Sequence, residues 1–191
     1  MRRRSFITAS GHAISASLLA LIGLGGWAWR AEALGGVLPD LDQPAPDFEL
    51  EGFVPPKQKA TLSLRDFQGS WLVLYFYPKD FTGGCTIEAR GFQNDLAQFR
   101  QAGAAVVGVS ADDPDSHASF CSDEDLAFPL LSDPAGEVSS RYGSWIAPYS
   151  QRHTFLIDPQ GIVRARWVAV RPAGHSQEVL TLLRQLQADP A

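Results

Sequence analysis

The chain has two cysteines, Cys85 and Cys121, and the first stands where strand-type residues give way to a helical pattern, in "YFYPKDFTGGCTIEA", residues 75–89. A helix N-terminus presents unpaired N–H groups and the positive end of the helix dipole, and both stabilise an anion. For a cysteine that anion is the thiolate, the species that attacks electrophiles. Position alone leaves a second reading open, because free cysteine is among the most buried residue types and often packs as a small apolar group. The cysteine count leaves the matter open too: a pair in an exported chain suggests a structural disulfide, and a cytosolic pair suggests redox or metal chemistry.

The flanking pattern supplies the elements that position Cys85. "WLVLYFY", Trp71 to Tyr77, is an almost unbroken β-branched and aromatic run, as expected of a strand buried on both faces. From Cys85 to Gln101, Ile87, Phe92, Leu96 and Phe99 approximate one helical face, and Gly103 ends the helix. "AAVVGVS", Ala104 to Ser110, reads as a second buried strand. Asp113 as N-cap with Pro114 at the first helical position then opens a helix that holds Cys121. "SDPAGEVSSRYG" repeats the device with Asp133 and Pro134 and predicts a short third helix closing at Gly143. "HTFLIDPQGIVRARWVAV" predicts two strands around a turn, and "HSQEVLTLLRQLQ" an amphipathic final helix. The order implies an α/β sheet that mixes parallel crossovers with an antiparallel hairpin.

Length and charge bound the rest. The 191 residues suit one domain with a full core. Residues 1–33 read as a leader, with a basic start, an apolar stretch from Ala13 to Trp29 and a small-x-small "AEA" site at residues 31–33. Within it "RRSFI", residues 3–7, resembles the twin-arginine export signal, which carries folded proteins to a periplasm or a thylakoid lumen. An uncleaved membrane anchor also fits, because Ser5 to Trp29 has no charged residue and a span needs roughly 20 residues. Residues 34–44 read as an extended linker, and 45–191 as the domain. Beyond the leader, 12 basic residues face 20 acidic ones, a balance of −8 that argues against nucleic acid or an anionic membrane as partner.

Pro78, Thr82 and Cys85 form P-x-x-x-T-x-x-C directly after a buried strand, which resembles the active-site loop of the peroxiredoxins. With "FPLLSDPAGEVSSRYG" and "RHTFLIDPQGIV", the chain from about Ala45 to Gln187 resembles the peroxiredoxin Q branch, also called bacterioferritin comigratory protein. The resemblance implies a thioredoxin-like fold with a central mixed sheet. It implies a peroxidase of antioxidant defence that uses no metal or other cofactor, and commonly a monomer. It makes Cys85 the peroxidatic nucleophile, Thr82 the hydroxyl that contacts the peroxide, Pro78 a shield for the thiolate, Arg152 the guanidinium beside it, and Glu88 the acid that holds the arginine. Bland readings remain for each: Thr82 as a helix cap, Arg152 as a strand-end charge, Glu88 as a first-turn acid.

An ordinary thiol of pKa ~8.5 is ~3% ionised at neutral pH, so full ionisation gains a factor of only ~30. The larger gain must come from aligning the peroxide and stabilising charge on the departing oxygen. Many members of the branch carry a resolving cysteine five residues after the nucleophile, where this chain has Arg90. Cys121 resembles the alternative layout, in which the next helix supplies the resolving thiol and condenses with the sulfenic acid to a disulfide. Two cysteines on different helices are expected to be apart in the reduced protein, so both helices must unwind locally, with Gly83 and Gly84 making the loop before Cys85 permissive. A buried packing thiol in a one-cysteine enzyme is the other reading of Cys121. The implied reductant is thioredoxin or another dithiol donor.

Three rivals stand beside this reading. A thioredoxin-like disulfide oxidoreductase normally uses C-x-x-C, and residue 88 is Glu. For a metal site, Cys85, Cys121, His117, His153 and His175 are scattered, and His117 with Cys121 at i and i+4 supplies only two ligands. A non-catalytic binding module on the same fold would tolerate loss of Cys85. "SWIAPYSQ", residues 144–151, reads as a surface loop with one packed Trp.

Overall fold

The computed structural model describes residues 32–33, 35–56 and 58–188, so the leader lies outside the described residues apart from its last two. The strands are β1 (Glu32–Ala33), β2 (Gly36–Val37), β3 (Glu49–Val54), β4 (Gln58–Ser63), β5 (Trp71–Phe76), β6 (Ala104–Ser110), β7 (Leu130–Ser132), β8 (Trp145–Ile146), β9 (Tyr149–Ser150), β10 (His153–Ile157) and β11 (Val163–Trp167). The helices are α1 (Gly83–Gln101), α2 (Pro114–Asp123), α3 (Glu137–Arg141) and α4 (His175–Ala188). Seven strands form one sheet in the order β11-β10-β5-β6-β7-β3-β4. The pairs β5–β6 and β6–β7 are parallel, and the outer pairs antiparallel, as the mixed-sheet reading requires.

The period-2 alternation of a strand splits β5 between two cores. Val73 and Tyr75, with Tyr77 beyond the strand end, face α1, α2 and α4, whereas Leu72, Leu74 and Phe76 face the layer containing Val138 and Tyr142. The buried stripe of α1 runs through Cys85, Glu88, Ala89, Phe92, Asp95, Leu96 and Phe99, at spacings of three and four. Ile87, expected on that face, is exposed. The phase set by Phe92, Leu96 and Phe99 instead directs Cys85 and Glu88 inward.

Other expectations are corrected by long-range pairing. Helix α1 begins at Gly83, so Gly83 and Gly84 lie in its first turn rather than in the loop before it. Asp133 is not the N-cap of α3: it opens a turn closed by Gly136 N–H to Asp133 O at 3.0 Å, and Gly136 at φ 69° starts the helix. The Asp133 carboxylate still reaches back to accept from the Ser139 N–H and Ser139 Oγ, each at 2.7 Å. Residues 35–44 are mostly exposed and turn at Leu41 and Asp42, yet they are tied to the domain by buried Leu38 and by Arg164 Nη1 donating to Asp42 at 2.8 Å. The β3–β4 hairpin went unforeseen because "ELEGFV" and "QKATLS" mix charged and small residues without a clean apolar face, and β7 because its three residues are too few to show a period.

Candidate active site

Cys85 stands where the buried strand β5 hands over to α1. Thr82 is the N-cap residue, and the first helical bond runs from Thr86 N–H to Thr82 O at 2.9 Å. The N–H groups of residues 83–85 are therefore the unpaired donors of the helix N-terminus, gathered around the buried Cys85.

Arg152 immediately precedes β10. Because β10 runs antiparallel beside β5 with His153 opposite Phe76, Arg152 falls at the sheet end from which α1 departs. Its carbonyl accepts from Val170 N–H at 2.9 Å, which pins the backbone. Its Nη2 donates to Cys85 Sγ at 3.2 Å, and Nη1 donates to Glu88 Oε2. Gly84 makes room for this: a Cβ there would lie 3.2 Å from Arg152 Nη2. Burial pulls Arg152 down, but the negative charge of Glu88 and of the Cys85 sulfur outweighs it and holds the guanidinium above its ordinary value. Burial pushes Glu88 up to about 7 against the pull of Arg152.

The Thr82 side chain makes no cap bond; its Oγ1 donates instead to Lys79 O at 3.0 Å. The hydroxyl is thereby oriented and keeps its lone pairs for an incoming O–H. Pro78 lies half-buried in the loop between β5 and α1. The sequence-derived residues Cys85, Glu88 and Arg152 are thus in direct contact, and Thr82 and Pro78 belong to the segment that enters the helix.

Cys121 lies in the last turn of α2, buried, and both cysteines are free thiols on separate helices. Burial, with the negative charge of Asp80, pushes the Cys121 thiol up to about 12. A groove of about 680 Å³ opens beside it, walled by Phe53, Pro55, Ala118 and Leu126. In the 144–151 segment Trp145 is half-buried while Ile146 and Tyr149 are exposed, consistent with a surface hairpin and one packed ring.

Sequence reasoning missed a buried polar network between the Cys85 loop and α2. His117 Nδ1 lies 2.9 Å from Asp80 Oδ2, the Tyr77 hydroxyl donates to Asp80 Oδ1 at 2.7 Å, and Ser116 Oγ donates to Asp80 Oδ2 at 2.8 Å. The loop and α2 are distant in sequence, so only the adjacency of His117 to Cys121 at i and i+4 hinted at it.

The family described as AhpC/TSA matches residues 41–166. "Peroxiredoxin Bcp" of Xanthomonas campestris is 40% identical over 153 residues, covering 75% of this chain and 94% of the relative. "Peroxiredoxin Bcp" of Bacillus subtilis is 34% identical over 155 residues, covering 77% and 96%. Among solved structures, the PrxQ of Xylella fastidiosa superposes with a TM-score of 0.68 at 32% identity, covering 82% of this chain and 98% of that one. The reduced 2-Cys peroxiredoxin of Plasmodium vivax gives a TM-score of 0.72 at 26% identity, covering 78% and 96%. With its helix-start cysteine hydrogen-bonded to the arginine that precedes the neighbouring strand, and with these likenesses spanning most of its length, the chain belongs to the AhpC/TSA family, as a thiol peroxidase of the Bcp and peroxiredoxin Q kind.

Proposed function

We propose that this peroxiredoxin reduces hydrogen peroxide and small alkyl hydroperoxides by direct attack of the Cys85 sulfur, with Cys121 as resolving thiol and a thioredoxin-type dithiol as reductant. The observation that carries the reading is the 3.2 Å hydrogen bond from Arg152 Nη2 to Cys85 Sγ at a helix N-terminus. The sulfur's electron pair forms a bond to one peroxide oxygen as the O–O bond breaks. The departing oxygen leaves as hydroxide or alkoxide and takes up the proton that the Cys85 thiol released on ionising, giving water or an alcohol, and Cys85 becomes a sulfenic acid.

In this reading the Arg152 guanidinium and the N–H groups of the first turn supply donors along the path of the moving charge, while the Thr82 hydroxyl, its hydrogen held by Lys79 O, accepts from the peroxide O–H. Glu88 holds the guanidinium against the sulfur, and Pro78 limits water at the loop. Cys121 then condenses with the sulfenic acid, which requires local unwinding at both helices, and the dithiol donor reduces the resulting disulfide.

The proposal extends to an exported monomer. Export is supported by the "RRSFI" leader, and the monomer by the branch the chain resembles. Replacing Arg3 and Arg4 together by Lys should retain the protein in the cytoplasm; unchanged export would remove that part.

The deciding experiment is peroxide consumption by Cys85→Ser with a dithiol donor present. Complete loss is expected, and retained turnover would remove the proposal. A single equivalent of peroxide given to Cys121→Ser should still oxidise Cys85 while no internal disulfide forms.

A further inference from the structure

Resolution leaves Cys121 with a proton to lose. Cys85 has a guanidinium and a helix N-terminus beside it; Cys121 sits in the last turn of α2, where the helix dipole disfavours an anion. Burial keeps its thiol protonated, pushed up to about 12, and the thiolate is the attacking species.

One turn earlier on α2 stands His117, fully buried. Its Nδ1 is 2.9 Å from Asp80 Oδ2 and 3.4 Å from the Tyr77 hydroxyl, which itself donates to Asp80 Oδ1. A carboxylate only accepts, so Nδ1 carries a proton, and in the neutral imidazole Nε2 then presents its lone pair. That Nε2 is buried and has no hydrogen-bond partner among the described residues. Buried polar atoms are nearly always paired, and an imidazole oriented by a carboxylate with its other nitrogen free is the arrangement of a general base.

We propose that Asp80 and His117 form the base that takes the proton from Cys121 as it attacks the Cys85 sulfenic acid. The inference rests on Cys121 being the resolving thiol. The Cys121 Sγ–H proton passes to His117 Nε2, and the freed electron pair forms the bond to Cys85 Sγ. The Cys85 S–O bond breaks, and the leaving hydroxide takes the proton from Nε2 and departs as water. The Cys121 sulfur is oxidised, the sulfenic sulfur is reduced, and the imidazole returns neutral. Side chains at i and i+4 have Cβ atoms about 5–6 Å apart, which places Cys121 next to His117 on one face of α2. Asp80 belongs to the Cys85 loop, so the base is oriented only while that loop and α2 are docked.

The test is rapid-quench mass spectrometry of the full chain after one equivalent of hydrogen peroxide, resolving sulfenic acid from disulfide, over a range of pH. The titratable groups facing His117 are Asp80 from the loop, Tyr77 after β5, Asp113 at the N-cap of α2, and Cys121 on its own helix. In His117→Asn the disulfide step should slow by about 100-fold, with sulfenic acid accumulating, and its rate should rise steadily with hydroxide instead of levelling off. Asp80→Asn should slow the same step by about tenfold, since the imidazole keeps a partner but loses the negative charge. Wild-type disulfide rates and pH profiles in both variants would overturn the inference, as would equal losses in sulfenic acid and disulfide formation, the mark of a packing role. Failure of the underlying reading looks different: wild type itself would then form no Cys85–Cys121 bond, and Cys121→Ser would behave as wild type.

Discussion

Arg152 Nη2 lies 3.2 Å from Cys85 Sγ across 67 residues of sequence, and the same guanidinium grips Glu88 through its other nitrogen. The fork divides one cation between a reacting sulfur and a buried carboxylate, which a point-charge ammonium cannot do in the same geometry. Arg152→Lys should therefore lower kcat/KM for hydrogen peroxide by about 10²- to 10³-fold, the usual cost of removing one donor to developing charge. Stopped-flow oxidation of the reduced protein measures it, and a loss below about threefold would show that the guanidinium geometry is dispensable.

Gly83 and Gly84 should respond in opposite ways. At Gly83 an added Cβ meets nothing within 4 Å, and Thr82 before it is extended at φ −93°, ψ 144°, a conformation that a following proline accepts. Gly83→Pro should raise stability by about 0.4–1 kcal/mol, because proline suits the first helical position and restricts the unfolded chain. By stiffening the first turn it should also slow disulfide formation. Gly84→Ala should displace the guanidinium and slow peroxide attack with little change in melting temperature. Equal kinetics in the two variants would argue against a clash at Arg152.

Cys121 should be unreactive while the protein is folded. Its thiol is pushed from an ordinary 9.0 up to about 12, so at a pH below both values its thiolate fraction falls by about 10³-fold. In Cys85→Ser, alkylation of Cys121 near neutral pH should be slower by about that factor than in denaturant, as read by mass spectrometry. The sign for stability follows: the unfolded chain releases this proton first, so the contribution is complete below 9.0 and is lost as pH rises toward about 12. Rapid alkylation of the native protein would contradict this burial.

Glu88, pushed up to about 7 by burial, titrates in the working range. The folded protein holds this proton more tightly than the unfolded chain, whose value is near 4.5. Its contribution to stability is therefore complete below that value and lost as pH rises through about 7. Thermal melts of wild type and Glu88→Gln from about pH 5 to about pH 8 should show the wild type losing ground as pH rises. A constant difference between the two would show that Glu88 keeps an ordinary value.

Within the described residues, the legible features were those with short-range causes. Asp113 caps α2 by accepting from Asp115 and Ser116 N–H, and Pro114 follows at the first helical position. Gly103 with φ 65° ends α1, and the apolar run of β5 is buried on both faces. Ile87 was misread because the helical phase depends on which residues find partners. Glu88 occupies an inward position that apolar patterning denies it, since Arg152 reaches it from the segment just before β10. Asp133 was misread for a related reason: its carboxylate serves α3 from outside, across a turn whose path depends on the Asp133 N–H to Ser110 O bond at 2.7 Å.

By itself the sequence determined the strand-to-helix junction and the cysteine in the first turn of that helix, because capping and periodicity act over a few residues. The tertiary structure alone decided that Arg152 reaches Cys85 and that His117 pairs with Asp80 from the loop before α1. Those contacts join segments distant along the chain. Their existence depends on sheet register and on the order in which β10, β5 and β6 lie side by side, which no local pattern encodes.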